Sequence, residues 1–207
     1  MRPERDWWLR VPGVLVDPAP VFDALRSIDR RDQDARQEPI LLITILAGVA
    51  AVLATPVAGR LLDEPDFDVL LVAVWAFIAG SVYGLAAYLL AGAALYLGAR
   101  GMGSLGSYRL ARHVVAFSAT PVALSLLVLM PVRLVAFGDD AFHRGGSDEG
   151  VTGDVVLALQ LAFVAWSVGL LLLGVKTVHA WTWGRSAGAL GLVALVLAAL
   201  VALPSVV

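Results

Sequence analysis

From residue 69 to residue 99 the chain carries no charged side chain. About 20 helical residues suffice to cross the roughly 30 Å hydrocarbon core of a bilayer. A helix of that length in water would need a polar face along one side. Four further uncharged runs follow the same logic: between Glu38 and Arg60, between His113 and Arg133, between Asp154 and Lys176, and after Arg185. Over all 207 residues, 59% are hydrophobic and 15% charged, with a mean hydropathy of +0.83, so lipid is the solvent for much of the chain. The expected fold is all-α and polytopic, with five transmembrane helices near residues 39–59, 69–99, 107–135, 152–176 and 185–206. They form one membrane domain, 39–207, after a cytoplasmic segment, 1–38, that carries a short amphipathic interfacial helix near 18–29.

The second run is long enough for one extended helix or for two short ones broken near Gly80 and Ser81. A single helix is preferred, because a break there would need a turn without charge or proline.

Orientation follows from the basic residues of the connections. Arg2, Arg5, Arg10, Arg26, Arg30, Arg31 and Arg36 precede the first run. Arg100, Arg109 and Arg112 lie between the second and third, and Lys176 and Arg185 between the fourth and fifth. Only Arg60, Arg133 and Arg144 fall on the opposite side, where Asp63, Glu64, Asp66, Asp68, Asp139, Asp140, Asp148, Glu149 and Asp154 gather. Five spans place the N-terminus in the cytoplasm and the C-terminus outside the cell membrane. A sixth span would invert every later loop.

The absence of cysteine excludes disulfides, zinc–thiolate sites and a cysteine nucleophile. Residues 1–38 are rich in Arg, Asp and Pro and lack the apolar core of a secretory signal, so the first span is expected to act as its own insertion signal. Asp17-Pro18 reads as a helix start, Asp at the N-cap and Pro in the first turn. Val21, Phe22, Leu25 and Ile28 then share one face, with Asp23, Arg26 and Arg30 on the other. With Trp7 and Trp8 upstream, this element either lies on the membrane surface or packs on the ends of the other helices. Residues 30–38 read as a solvated linker.

Within the second run Gly80, Gly84, Tyr88 and Gly92 recur every four residues, which lets another helix approach closely. That stripe serves either a dimer or packing inside one bundle. Pro121 and Pro131 are candidate hinges of the third helix, with Ser118, Thr120 and Ser125 able to re-satisfy freed backbone groups. Gln160 is an interhelical hydrogen-bond candidate. No ionisable side chain lies near a midplane, which argues against ion-coupled transport and intramembrane proteolysis. A metal reading of Asp139, Asp140 and His143 has no diagnostic ligand spacing behind it, and a flexible, solvated extracytoplasmic loop is the preferred reading of residues 138–153. Arg109, Arg112 and His113 form one interfacial cluster, and His179, Trp181, Trp183 and Arg185 another. Both suit lipid headgroups, with Arg109, Arg112, His113, His179 and Arg185 as candidate contacts for an anionic ligand or acidic partner.

Three stretches resemble the prokaryotic branch of the Yip domain family. Pro18, Phe22 and Leu25 are similar to its pre-membrane element. Gly101-Met102-Gly103-Ser104-Leu105-Gly106-Ser107-Tyr108-Arg109, continuing through Val115-Ala116-Phe117 to Pro121, resembles its glycine–basic loop and proline-bearing helix. Trp166-Ser167, Leu173-Gly174, His179 and Arg185-Ser186-Ala187 resemble its fourth helix and the following loop. The resemblance implies a five-helix domain with a cytoplasmic N-terminus and no catalytic residues. Eukaryotic members associate with Rab-type small GTPases. Their long N-terminal region is short here, so that partner is not carried over.

No enzymatic activity and no cofactor are expected, because no nucleophile–base or metal constellation appears. The expected function is a membrane scaffold or adaptor that organises lipid or partner proteins. A permease, channel or lipid-translocating subunit acting as an oligomer is the alternative. Membrane lipids, further copies of the chain and other membrane proteins are the expected partners, and nucleic acid is not. A cavity faced by Ser118, Thr120, Gln160 and Ser167 would favour transport, and a bundle packed solid at those positions would favour the scaffold.

Overall fold

The computed structural model describes residues 3–27, 38–146 and 150–202, with side-chain surroundings for 8–26, 38–146 and 150–195. The described residues form helices, turns and loops, without strands. The helices are α1 (Pro3–Val16), α2 (Pro18–Ser27), α3 (Glu38–Leu53), α4 (Val69–Gly101), α5 (Tyr108–Ser118), α6 (Thr120–Phe137), α7 (Val151–His179) and α8 (Trp183–Ala202). Short 3₁₀ turns follow α3 and α6, at Ala58–Asp63 and Gly138–Phe142.

Three helical stretches are long and apolar enough to cross a membrane: Val69–Gly101, Tyr108–Phe142 and Val151–His179. In the most apolar window of α7 only 6% of residues are buried by the protein itself. Leu157, Leu161, Val164 and Val168 all lie exposed there. Water cannot solvate such a surface without a large free-energy cost, whereas hydrocarbon can.

Helix α4 runs unbroken for 33 residues, as the lack of proline throughout and of charge before Arg100 leads one to expect. The first predicted span is shorter than its uncharged run. It stops at Leu53 rather than near residue 59, which leaves 16 residues, or about 24 Å of helix. Pro56 is the reason: it lacks an amide hydrogen and disfavours the helical conformation at Thr55. Thr55 instead closes the turn, its hydroxyl donating to the Val52 carbonyl at 2.6 Å.

The third predicted span, expected near 107–135, is two helices that break at Ala119. Pro121 therefore opens α6 from its first turn instead of kinking a continuous helix, the position where a missing amide hydrogen costs least. Pro131 stays inside α6. Two of the nearby hydroxyls, those of Ser118 and Ser125, serve other carbonyls than the ones these prolines free. Ser118 donates to Val114 and Ser125 to Val122.

The N-terminal region is two helices where the sequence suggested one, with α2 ending at Ser27. Ile28 and the expected linker up to residue 37 lie outside the described residues, as do Asp148, Glu149 and residues 203–206 of the fifth predicted span.

The chain divides into two compact units. The first gathers Met1–Ile40, Ala87–Ser118 and Val168–Val207. Its centre is α5, whose Ala111, His113, Val114, Ala116 and Phe117 are all buried. Both α1 and α2 pack on α5. Val21, Phe22 and Leu25, the apolar face of α2, are buried, with Phe22 fully enclosed. Its ring lies 2.9–3.0 Å from where a β-carbon on Gly174 would stand, and Val114 closes in at 3.0 Å. Of the two alternatives for this amphipathic element, the structure takes packing on protein.

The second unit gathers Leu41–Ala86 and Ala119–Ser167. Ala58, Leu61, Val72, Phe137, Ala141 and Phe142 form a compact core there, between the two 3₁₀ turns and their flanking helices. Helices α3 and α4 meet backbone to backbone. A β-carbon on Gly48 would stand 2.6 Å from the Gly84 Cα, and one on Gly80 would stand 2.5 Å from the Val49 Cα.

Candidate functional site

The predicted helix-packing residues divide by unit. Gly80 and Gly84 face α3 in the second unit, so they serve packing within the chain. Gly92 belongs to the first unit and makes room for Arg112 of α5, whose Cα and Cβ lie 3.3 Å from the position of an added β-carbon.

That space lets a ladder of cations and rings form. The Arg112 guanidinium carbon stands 5.4 Å from the Tyr88 ring centre and 4.7 Å from that of Tyr108. Tyr108 meets Tyr96 edge-on at 6.2 Å, and its hydroxyl donates to the Leu89 carbonyl at 3.0 Å. Arg100 lies 5.2 Å from the Tyr96 ring. Tyr88, Gly92, Tyr96 and Arg100 recur every four residues along α4, while Tyr108 and Arg112 do the same on α5, so each helix offers one stripe. The fourfold spacing was visible in the sequence; the pairing of the two stripes was not.

The predicted cluster of Arg109, Arg112 and His113 is thus not one open patch. Arg112 lies among the tyrosines, His113 is buried, and Arg109 is half-buried with its Nε enclosed.

His179 and Arg185, by contrast, do come together. Arg185 stacks on Trp181 at 4.4 Å, and the His179 ring lies 4.5 Å from the same indole. The Arg185 Nε donates to the Met102 carbonyl at 3.0 Å, and Nη2 donates to the same oxygen. This cation therefore caps the C-terminal end of α4, where carbonyls have lost their helical partners. Lys176 stands over Trp183 at 4.8 Å. Both helix ends in this region close with the same pair of hydrogen bonds. Ser104 and Gly103 donate to Ala99 and Arg100 after α4, and Trp181 and Ala180 donate to Lys176 and Thr177 after α7. The residue at the turn has positive φ, +81° for Gly103 and +52° for Ala180. Alanine is strained there. Ala180→Gly is expected to stabilise the protein by about 1 kcal/mol, read as a rise in thermal midpoint in detergent.

In the second unit, His143 does not join Asp139 and Asp140. Its Nδ1 donates to Asp63 at 3.1 Å, and the Arg144 amide donates to the same carboxylate at 3.2–3.3 Å. Among the described residues no cluster of three His, Asp or Glu side chains could hold a metal. The His143 hydrogen bond is the main reason that the Asp63 carboxyl lies below its ordinary pKa, opposed by partial desolvation and reinforced by the Arg144 amide. A lowered pKa stabilises the fold where the carboxylate is ionised, and that contribution disappears as pH falls through the lowered value. The protection of the Arg144 amide, its exchange rate relative to that of an unstructured peptide amide, should therefore hold from neutral pH into the acidic range and be lost only as pH falls through the lowered Asp63 value.

The second unit also holds a cleft of about 190 Å³. Arg133 and Phe137 of α6, Val156, Leu157 and Gln160 of α7, and Ala54 beyond α3 line it. Arg133 reaches the carbonyls of Leu53 and Ala141 at 3.4 and 3.5 Å. Gln160 donates to the Ser125 hydroxyl at 3.2 Å, beside a smaller recess of about 30 Å³. Of the four polar residues whose placement was to separate transport from scaffold, Gln160 lines the cleft. Ser118 and Thr120 are buried in packing, and the Ser167 hydroxyl is buried without a hydrogen-bond partner among the described residues.

No curated protein and no solved structure matches this chain. A family model does, over residues 13–204. The matched span includes Phe22, the loop that Arg185 holds and the Gly174 on which Phe22 rests, and the chain accordingly belongs to the Yip1 domain family.

Proposed function

We propose that this protein is a non-enzymatic, five-span scaffold of the cell membrane, its N-terminus in the cytoplasm and its C-terminus outside. The observation that carries this reading is the docking of Phe22 against Gly174 and Val114. It joins the N-terminal helices to the basic, tryptophan-bearing helix ends as one built surface, suited to holding lipid or a partner protein. In this reading α3 and α8 complete the set of spans with the three long apolar stretches, and twelve of the 15 Lys and Arg face the cytoplasm. Further copies of the chain and other membrane proteins are the proposed partners.

The chain has no cysteine, so single cysteines report topology cleanly. An impermeant maleimide applied to intact cells should label Asp140→Cys and leave Leu105→Cys untouched. The reverse pattern would refute the topology. Capture of partners from detergent extracts should fall when Phe22→Ala frees the N-terminal helices, and equal capture would refute the scaffold role.

One observation favours transport or lipid translocation by an oligomer as a second reading: the cleft beside Arg133 and Gln160. Vesicles containing the purified protein should then pass solute or scramble labelled lipid, and Gln160→Leu should slow this.

A further inference from the structure

We infer that the outer face of α1 rests on the cytoplasmic surface of the bilayer, with Trp8, Leu9, Pro12 and Val16 seated among lipid headgroups and the first acyl carbons. The inference rests on the membrane reading proposed above, and it names lipid as what covers this part of the N-terminal surface.

Helix α1 is apolar on two opposite sides. With about 100° of turn per residue, Trp8, Leu9, Pro12 and Val16 fall within about 100° of one another. All four are exposed, Trp8 to 46%, Leu9 to 56% and Val16 to 85%. Val14 falls on the opposite side and is fully buried. On that inner side Gly13 lies close to α2, where an added β-carbon would stand 3.2 Å from Val21, and α1 also packs on α5. A helix with one apolar side against protein carries polar residues on the other when water lies beyond it. Here the outer stripe is an indole, a leucine, a proline and a valine instead.

The level at which α1 is held points to lipid as the cover. Phe22 of α2 docks at Gly174, only the last turn and a half before α7 ends at His179. About 20 of the 29 residues of α7 suffice for the hydrocarbon, which leaves roughly four or five beyond each boundary. Gly174 therefore stands near that boundary, and Phe22 with it. Helix α5, on which α1 and α2 both pack, opens the apolar stretch Tyr108–Phe142. The N-terminal helices are thus fastened at the depth of the bilayer surface, where the adjoining apolar medium is lipid. Leu89, Leu90 and Leu97 of α4 give the same unit further exposed apolar surface. Pro12 sets how deep the helix lies. It lacks the amide hydrogen that the Trp8 carbonyl would accept. That carbonyl suits a level where water supplies a donor, which is also the level that indole rings favour. Helix α1 therefore lies along the surface and does not enter the core.

The test places single nitroxide labels on the full chain, reconstituted in vesicles of phosphatidylcholine and phosphatidylglycerol. The chain has no cysteine of its own, so each label has one site. Leu9→Cys and Val16→Cys carry the label on the outer stripe, and Asp23→Cys, on the exposed side of α2, is the reference. All three positions are exposed, so labelling leaves the packing intact. Collision with oxygen, which partitions into lipid, is compared with collision with a water-soluble nickel chelate. That ratio should be at least about fivefold higher at residues 9 and 16 than at residue 23. Leu9→Glu added to the Val16 label should lower the ratio at residue 16 while the thermal midpoint in detergent stays unchanged. Equal ratios at the three sites would put the stripe in water and overturn the inference. Spin–spin broadening between copies labelled at residue 16 would put a second copy of the chain there, and shielding from both reagents would put another protein there; either overturns it. Labelling of intact cells separates this failure from that of the membrane reading. A chain that keeps Asp140→Cys reactive and Leu105→Cys protected, yet shows equal ratios, spans the bilayer with α1 standing clear of it.

Discussion

Replacing Gly84 by isoleucine is expected to separate α3 from α4 and to destabilise the protein by about 3 kcal/mol or more. The reason is that the added atoms would meet backbone. A β-carbon at Gly84 runs into the Thr44 carbonyl oxygen and stands 3.1 Å from the Gly48 Cα. Backbone cannot rotate away as a side-chain tip can, so the helices must part. Parting them forfeits the dispersion contacts that hold apolar helices together in lipid, where the hydrophobic effect contributes little between them. For a chain of this size the loss corresponds to a fall in thermal midpoint of roughly 6–12 °C. Gly59→Ala is the control: nothing lies within 4 Å of the added carbon, and the midpoint should barely move. Equal stability of Gly84→Ile and Gly59→Ala in a thermal scan would refute the close packing of α3 on α4.

Much of this contact was legible in the sequence, and the part that was not has a physical cause. Gly80 and Gly84 announce a close approach by their spacing, but a stripe of small residues does not name what approaches it. The answering residue, Gly48, is the one glycine of α3, and a lone glycine among alanines and larger apolar residues carries no repeat that would mark a packing face. The same limit applies to α2. The periodicity of Val21, Phe22 and Leu25 identifies the buried face correctly, and yet lipid and protein are both apolar, so periodicity alone does not distinguish them. The early end of α3 is different: Thr55-Pro56 states it locally, and the lack of charge up to Arg60 overrides that signal in a reading based on charge. The cleft was the least legible feature. Ser125, Arg133 and Gln160 are ordinary residues in apolar helices until the fold brings them to one place.

Arg112→Ala is expected to destabilise the protein by about 2–3 kcal/mol, a loss second to that of Gly84→Ile. Two aromatic faces flank this guanidinium, and each contact away from bulk water contributes on the order of 1 kcal/mol or more. Its aliphatic stem also fills the space that Gly92 leaves on α4, so the truncation opens a cavity as well. The Nε is buried and makes no hydrogen bond among the described residues, which identifies ring faces as what this side chain is built to meet. Arg112→Lys should therefore recover only part of the loss. A lysine keeps the charge, but its ammonium is compact and strongly hydrated and cannot stack flat between Tyr88 and Tyr108. Tyr108→Phe tests the same ladder from the other side. It keeps the ring over Arg112 and removes only the hydrogen bond to the Leu89 carbonyl, so its cost should be nearer 1 kcal/mol. Thermal unfolding in detergent should thus rank wild type above Tyr108→Phe, then Arg112→Lys, then Arg112→Ala. Full recovery by lysine would mean that charge at this helix end, and not stacking, is what residue 112 supplies.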